Sequence, residues 1–113
     1  HEQQRFFDVL NRTKANGVIF ISGDVHYSEI SVAKREGVYP IYDFTSSGIT
    51  STWKFATPNI NRIEGPVMEN NFGLLTFDWN ADNPTVTMEC IDKKNNQRFE
   101  YTIPIRHLIF GRE

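Results

Sequence analysis

The sequence has little of what would assign a protein class directly. It holds one cysteine, Cys90, so an internal disulfide is excluded and the redox compartment stays undecided. No block of Lys or Arg is longer than two residues and the net charge is −2, which gives no basis for a nucleic-acid-binding face or a membrane-surface helix. The longest uninterrupted apolar runs, of four residues, are far too short for a transmembrane segment.

What the sequence does contain is enough apolar material for one small core. Hydrophobic residues make up 39% of the 113 residues and aromatic residues 13%. The chain starts at His1 and enters a helical pattern at once, with no strand before the helix. We therefore expect residues 1–113 to be a single partial domain, a segment of a longer polypeptide.

The most informative stretch is Gly17-Val-Ile-Phe-Ile-Ser-Gly-Asp-Val-His-Tyr-Ser-Glu29. Its apolar run, residues 18–21, is typical of a strand buried on both faces within a parallel sheet. Ligands of open α/β sheets bind beyond the carboxyl ends of such strands. Gly23, Asp24 and His26 follow the run directly, so this corner is the first candidate for a functional site.

The first third of the chain predicts a helix before that strand. Residues 2–15 are amphipathic, with Phe6, Val9 and Leu10 at helical spacing and charged residues opposite. Asn16-Gly17 provides a helix stop, since both residues tolerate the left-handed conformation.

The middle of the chain is less regular. Residues 30–36 predict a weak strand, with a short helical turn as the alternative, and residues 38–44 a second strand whose start or edge Pro40 marks. Residues 45–48 indicate a turn of small side chains. Residues 49–71 lack either periodicity and are expected to form a long loop.

The last third predicts three antiparallel strands joined by short turns. Residues 72–79, 85–91 and 99–103 alternate between apolar and polar side chains, and we expect Trp79 and Cys90 to lie in the core. The predicted fold class is α/β, or α+β over this chain alone: one N-terminal helix, then a mostly β segment ending in an antiparallel meander.

Two interpretations of the corner remain open from the residues alone. A carboxylate and an imidazole two positions apart, Asp24 and His26, are side chains that metal ions take as ligands. Alternatively, Asp24 forms an Asx-turn and His26 is an ordinary polar residue. A metal needs four or more donors, and this chain offers no second cluster.

Three stretches in order resemble one known family. They are Ile21-Ser-Gly-Asp-Val-His-Tyr-Ser-Glu29, Tyr42-Asp-Phe-Thr-Ser-Ser-Gly-Ile-Thr-Ser-Thr-Trp53 and Asn70-Asn-Phe-Gly-Leu-Leu-Thr-Phe-Asp-Trp79. Together they are similar to the C-terminal part of the PhoD-like alkaline phosphatases, within the calcineurin-like metallophosphoesterases. The resemblance covers roughly residues 2–105.

This resemblance implies a four-layer αββα sandwich with a dinuclear metal centre that hydrolyses small phosphate esters. It implies Asp24 and His26 as metal ligands, iron and calcium as the metals, and a periplasmic or extracellular location. Tyr27 and Ser28 become candidates for positions near the substrate, at the rim of the site. Trp53, in the expected loop of residues 49–71, either lines the mouth of the site near the substrate or covers core surface.

The family's other ligand motifs have no counterpart in this chain. We therefore expect the 113 residues alone to be inactive, to hold metal loosely, and to self-associate through exposed sheet edges. The alternative function is a non-catalytic β-rich binding module with residues 49–71 as its contact surface. A weaker alternative is a hydrolase using Ser46 or Ser47.

Overall fold

A computed structural model describes residues 2–23, 25–49, 59–80 and 82–111. These residues form one α-helix and seven β-strands in two sheets, a mostly β fold. The elements are α1 (Glu2–Thr13), β1 (Phe20–Ser22), β2 (Ser28–Ala33), β3 (Ile41–Ser46), β4 (Arg62–Val67), β5 (Asn71–Asp78), β6 (Thr85–Asp92) and β7 (Gln97–Pro104). A 3₁₀ turn over Ile105–His107 follows β7.

The first sheet is four-stranded and mixed, in the order β1-β3-β2-β4. β1 runs parallel to β3, whereas β2 is antiparallel to both β3 and β4. The two strands expected over residues 30–36 and 38–44 are confirmed, with shifted bounds. β3 extends through Ser46, so the predicted turn over residues 45–48 starts two residues later than expected.

The prediction of a strand buried on both faces over residues 18–21 is wrong. β1 covers only Phe20–Ser22, and all three of its residues are exposed, with Ile21 65% accessible. The reason is its position: among the described strands, β1 lies at the sheet edge and pairs only with β3. Val18 and Ile19, which precede the strand, are the residues that pack against the core.

Sequence periodicity also missed β4, which lies within the expected loop of residues 49–71. Gly65 and Pro66 interrupt the alternation, and the pairing of β4 with β2 is irregular between Ser28 and Ser31. Proline is tolerated in an edge strand, because the N–H that it lacks can be one that faces away from the sheet and forms no hydrogen bond with a neighbouring strand. Residues 50–58 of the expected loop lie outside the described residues.

The second sheet is the predicted meander, in the order β5-β6-β7. Val86, Met88 and Cys90 alternate along β6 and are fully buried, as expected for its inward face. Trp79, however, is not a core residue. It is 65% exposed beyond the end of edge strand β5, where it stacks on Phe77 with ring centroids 5.6 Å apart.

The two sheets pack face to face through aromatic side chains. Phe44 meets Phe99 edge to face at 6.1 Å, and the Tyr42 and Tyr101 rings lie 5.7 Å apart. Ile41 and Asp43 alternate with Tyr42 along β3, so they point to the opposite face of the sheet. That face carries α1, giving a helix layer and two sheet layers in the part of the chain described here.

The expected N-terminal helix is confirmed, although it ends at Thr13 and uses a different apolar side. Phe7 and Leu10 are buried against the core, whereas Val9 is 45% exposed. The connection from α1 to β1 is tied down by the C-terminal segment: Gly17 N–H donates to the Leu108 carbonyl at 2.7 Å. No helix among the described residues is long and apolar enough to cross a membrane.

Candidate metal-binding corner at the ends of two parallel strands

The corner forms where β1 and β3 end side by side. Because these strands are parallel and Ser22 pairs with Thr45, their carboxyl ends meet at one edge of the sheet. The following residues stay close: a Cβ added to Gly23 would lie 3.6 Å from Oγ of Ser47. The first strand therefore ends beside a parallel neighbour, but the sheet is mixed and not the parallel sheet that was expected.

Two of the predicted site residues cannot be placed in this geometry. Asp24, the predicted metal ligand between Gly23 and Val25, lies outside the described residues, and so does Trp53. His26 is described. It is partly buried, and its Nδ1 atom is shielded from solvent.

The backbone at His26 is in the left-handed region, with φ of +62°. Residues other than glycine adopt this conformation at a cost of about 1–3 kcal/mol, and they keep it only where the surroundings fix the chain. His, Asn and Asp are the side chains most often found there. The residues following His26 are accordingly held by buried contacts.

Tyr27 and Ser28 are both buried, not exposed at a rim as the resemblance suggested. The Ser28 hydroxyl donates a short hydrogen bond of 2.5 Å to Oδ1 of Asn71, the first residue of β5. The Cys90 thiol donates to the same oxygen at 3.3 Å, and Nδ2 of Asn71 donates to the Glu69 carbonyl at 2.7 Å. Asn71 thus joins the segment after His26 to the second sheet.

Glu29 is fixed in a similar way on the other face of β2. Its side chain is buried, yet it accepts hydrogen bonds from Nε of Arg62 at 2.5 Å and from Nδ2 of Asn59 at 3.0 Å. A buried carboxylate needs such partners, because removing an ion from water is costly. The pair also holds β4 against β2.

Two glycines permit this close packing. At Gly65, φ is +88° and an added Cβ would lie 2.7 Å from the Ser28 carbonyl oxygen. At Gly48, an added Cβ would lie 2.6 Å from Nδ2 of Asn71. Backbone of β4 therefore lies directly against Ser28, and the turn after β3 lies directly against Asn71.

Sequence analysis missed Asn71, Glu29 and Arg62 as supports of the corner. One signal was available for Asn71: it occupies the first inward-facing position of a strand whose later inward positions are apolar, and a polar residue there requires buried partners. No comparable signal existed for the pairing of Glu29 with Arg62, because β4 itself was not predicted.

Cys90 is a structural residue of this network. Burial raises the pKa of its thiol to about 11, with the Ser28 hydroxyl lowering the pKa in part. The thiol is therefore protonated at neutral pH, and the thiolate that metal binding or nucleophilic attack requires is not formed.

The donors at the corner suit a metal in kind but not in number. An imidazole nitrogen and a carboxylate oxygen bind borderline and hard ions. Within the described residues, however, no group of three or more His, Cys, Asp or Glu side chains could hold a metal ion. A metal site at this corner would therefore need donors in addition to His26 from outside the described residues.

Ser46 and Ser47, the two serines considered as alternative nucleophiles, each pack against a glycine of a neighbouring segment. Ser46 belongs to β3 and faces the second sheet, where its Oγ lies 2.9 Å from the position that a Cβ on Gly73 would take. Ser47 lies beside Gly23.

Comparisons of the chain with protein-family models, with curated proteins and with solved structures gave no match. The class that the fold defines is a mostly β protein with one helix and two packed sheets. The corner that follows β1 is the part of this fold on which the function proposed next depends.

Proposed function

We propose that this chain is the C-terminal segment of a metal-dependent phosphoric ester hydrolase resembling the PhoD-like phosphatases. The observation that carries the proposal is the Gly23-Asp24-Val25-His26 motif directly after the first strand of a parallel pair. Ligands of sheets with parallel strands bind at this end. The order of the two other matching stretches supports it.

In this proposal Asp24 and His26 are two of the metal ligands, and the remaining ligands come from a preceding part of the polypeptide. The metals, iron and calcium by family analogy, would polarise the phosphoryl group and supply hydroxide at neutral pH. The left-handed backbone of His26 and the buried contacts of Ser28 and Glu29 orient the imidazole from this chain's side. Tyr27 and Ser28 then have supporting roles, not substrate contacts.

The number of metal ligands that the isolated chain provides determines its expected metal affinity and activity. Two protein donors leave most of a coordination sphere to water, so the 113 residues should bind metal weakly and hydrolyse no ester. The longer polypeptide should hold metal tightly and be active. The proposal therefore requires the longer polypeptide to bind metal more tightly than the isolated 113 residues and to hydrolyse esters that the isolated chain does not.

The test is an assay of the longer polypeptide with bis(p-nitrophenyl) phosphate and p-nitrophenyl phosphate, before and after chelation. Asp24→Ala and His26→Ala should each lower the rate at least about a hundredfold and lower the bound metal measured by elemental analysis. His107→Gln, on the 3₁₀ turn that follows β7, serves as the matched control and should change neither. A folded polypeptide that hydrolyses neither ester with any added metal would overturn the proposal.

A second candidate, a β-rich binding module, is favoured by one observation. Phe72 and Leu74 lie on the outer face of edge strand β5 and are both more than 40% exposed. A module that binds through this face should be indifferent to chelator and to His26→Ala, but sensitive to Phe72→Ser. The hydrolase shows the opposite pattern.

A further inference from the structure

A cavity separate from the corner lies between α1 and the four-stranded sheet. Its volume is about 330 Å³, at the lower end of the range for small-molecule sites. Most of its lining is apolar, from Phe6 and Phe7 of α1, Phe20 of β1 and Ile41 of β3. We call it the α1 cavity.

Three adjoining phenylalanine rings form one wall of the α1 cavity. The Phe6 ring lies 5.4 Å from Phe7 and 4.8 Å from Phe20 between centroids. Phe20 is 41% exposed, so this wall can be reached from solvent. The faces of such rings attract cations, and the guanidinium carbon of Arg35 already lies 4.8 Å from the Phe7 centroid.

A carboxylate stands beside this aromatic wall. Asp43 lines the α1 cavity and is the register partner of Phe20 across the parallel pair. It is partly buried, and its Oδ1 accepts a hydrogen bond from the Ser22 hydroxyl at 2.7 Å. Among the residues that the structure describes, no cationic side chain lies within 4.0 Å of this carboxylate.

The phenylalanine rings and the Asp43 carboxylate together favour a ligand of positive charge. An anion would be repelled by Asp43, and a neutral molecule would gain only the burial of its apolar surface. A small molecule with an apolar body and an ammonium group would gain that burial, attraction to the ring faces, and pairing with the carboxylate. The pairing strengthens as the ligand excludes water from the cavity.

We propose that the α1 cavity binds small arylalkylammonium cations, with the aromatic body against Phe6 and Phe20 and the ammonium group at Asp43. This site needs no metal and is lined by other residues than the corner, although Asp43 accepts a hydrogen bond from Ser22, the residue before Gly23. It assigns to the chain a ligand class opposite in charge to the phosphate esters of the proposed hydrolase.

The test compares three probes of similar size and different charge: 2-phenylethylamine, 2-phenylethanol and 3-phenylpropionate. Binding to the ¹⁵N-labelled chain is followed at pH 7 by two-dimensional NMR. The amine should bind at least about tenfold more tightly than the alcohol, and the carboxylate more weakly than the alcohol. The largest shifts should fall on residues lining the α1 cavity.

Two variants separate the contributions of charge and ring. Asp43→Asn retains an Oδ1 acceptor for Ser22, so the fold is kept while the charge is removed, and the amine should lose its advantage over the alcohol. Phe20→Leu keeps an apolar side chain but removes a ring, and it should weaken the amine more than the alcohol.

Asp78→Asn, an exposed carboxylate on β5, is the matched control and should preserve the amine's advantage. Equal binding of the amine and the alcohol would overturn the proposal. So would the absence of saturable shifts at millimolar amine, or an unchanged advantage of the amine in Asp43→Asn.

Discussion

Replacing Asn71 by alanine should destabilise the protein more than any other single loss of an amide side chain in the described region. Its Oδ1 accepts from Ser28 and Cys90, and its Nδ2 donates to the Glu69 carbonyl, all in or beside the buried space between the sheets. Each buried polar group left without a partner costs about 1–3 kcal/mol. The Ser28 hydroxyl would be the main group left without a hydrogen-bond partner, and the lost side chain would leave a small cavity. We therefore expect the free energy of unfolding to fall by about 2–4 kcal/mol.

The loss can be measured by urea unfolding, followed by tryptophan fluorescence and circular dichroism. Asn80→Ala, in the exposed turn after β5, is the matched control and should change the free energy of unfolding by less than about 0.5 kcal/mol. A fall of 2–4 kcal/mol is large against the total of about 5–15 kcal/mol that a domain of this kind has.

A second substitution, Ser28→Ala, tests whether the loss of stability comes from the unpaired Ser28 hydroxyl. Ser28→Ala alone should cost about 1 kcal/mol, because it removes one hydrogen bond. Added to Asn71→Ala, it should restore about 1 kcal/mol, since it deletes the buried hydroxyl that lost its acceptor. Additive losses in the double variant, or a cost of Asn71→Ala no larger than that of Asn80→Ala, would refute this account of the network.

Three further predictions test other parts of the structure. Gly65→Ala should cost about 2–4 kcal/mol in urea unfolding, because φ is +88° and the new Cβ would meet the Ser28 carbonyl oxygen at 2.7 Å; a loss below about 1 kcal/mol would contradict the described contact. The Cys90 thiol should react with a disulfide reagent only on unfolding. Because its pKa is raised from 9.0 to about 11, the protonated thiol contributes stability that is fully present below pH 9 and is lost as the pH rises towards 11. The free energy of unfolding of Cys90→Ala should therefore fall less between pH 9 and pH 11 than that of the parent protein. An identical fall would argue against the raised pKa. Trp79→Ala should cost less than about 1 kcal/mol by thermal unfolding, since the ring is mostly exposed and, within the described residues, stacks on Phe77 alone; a loss typical of a core aromatic, about 3–5 kcal/mol, would restore the core assignment.

The elements that sequence reasoning predicted well are those whose pattern is local. The alternation of Val86, Met88 and Cys90 required one buried face, and short polar turns on either side required antiparallel neighbours. The helix was equally clear, although its pattern did not distinguish Val9 from Phe7 as the buried side chain. In both cases residues near in sequence carry the signal.

The errors have a common physical origin in the position of a strand within its sheet. The run over residues 18–21 has the composition of a central strand, but β1 is an exposed edge strand. Trp79 continues the inward alternation of β5, yet it extends past the neighbouring strands and remains exposed. β4 escaped notice because an edge strand with Gly65 and Pro66 need not alternate. Composition reports how apolar a strand is, and not which strands flank it.

Local patterns were enough to predict the helix, the meander, the buried thiol and the position of Gly23 and His26 after a strand. Those features follow from periodicity and from the conformational limits of neighbouring residues. The packing and pairing of distant strands bring Ser28 to Asn71, Glu29 to Arg62, and Asp43 beside Phe20. These pairs lie tens of residues apart in the chain, and their contacts depend on strand order and register, which no local pattern encodes.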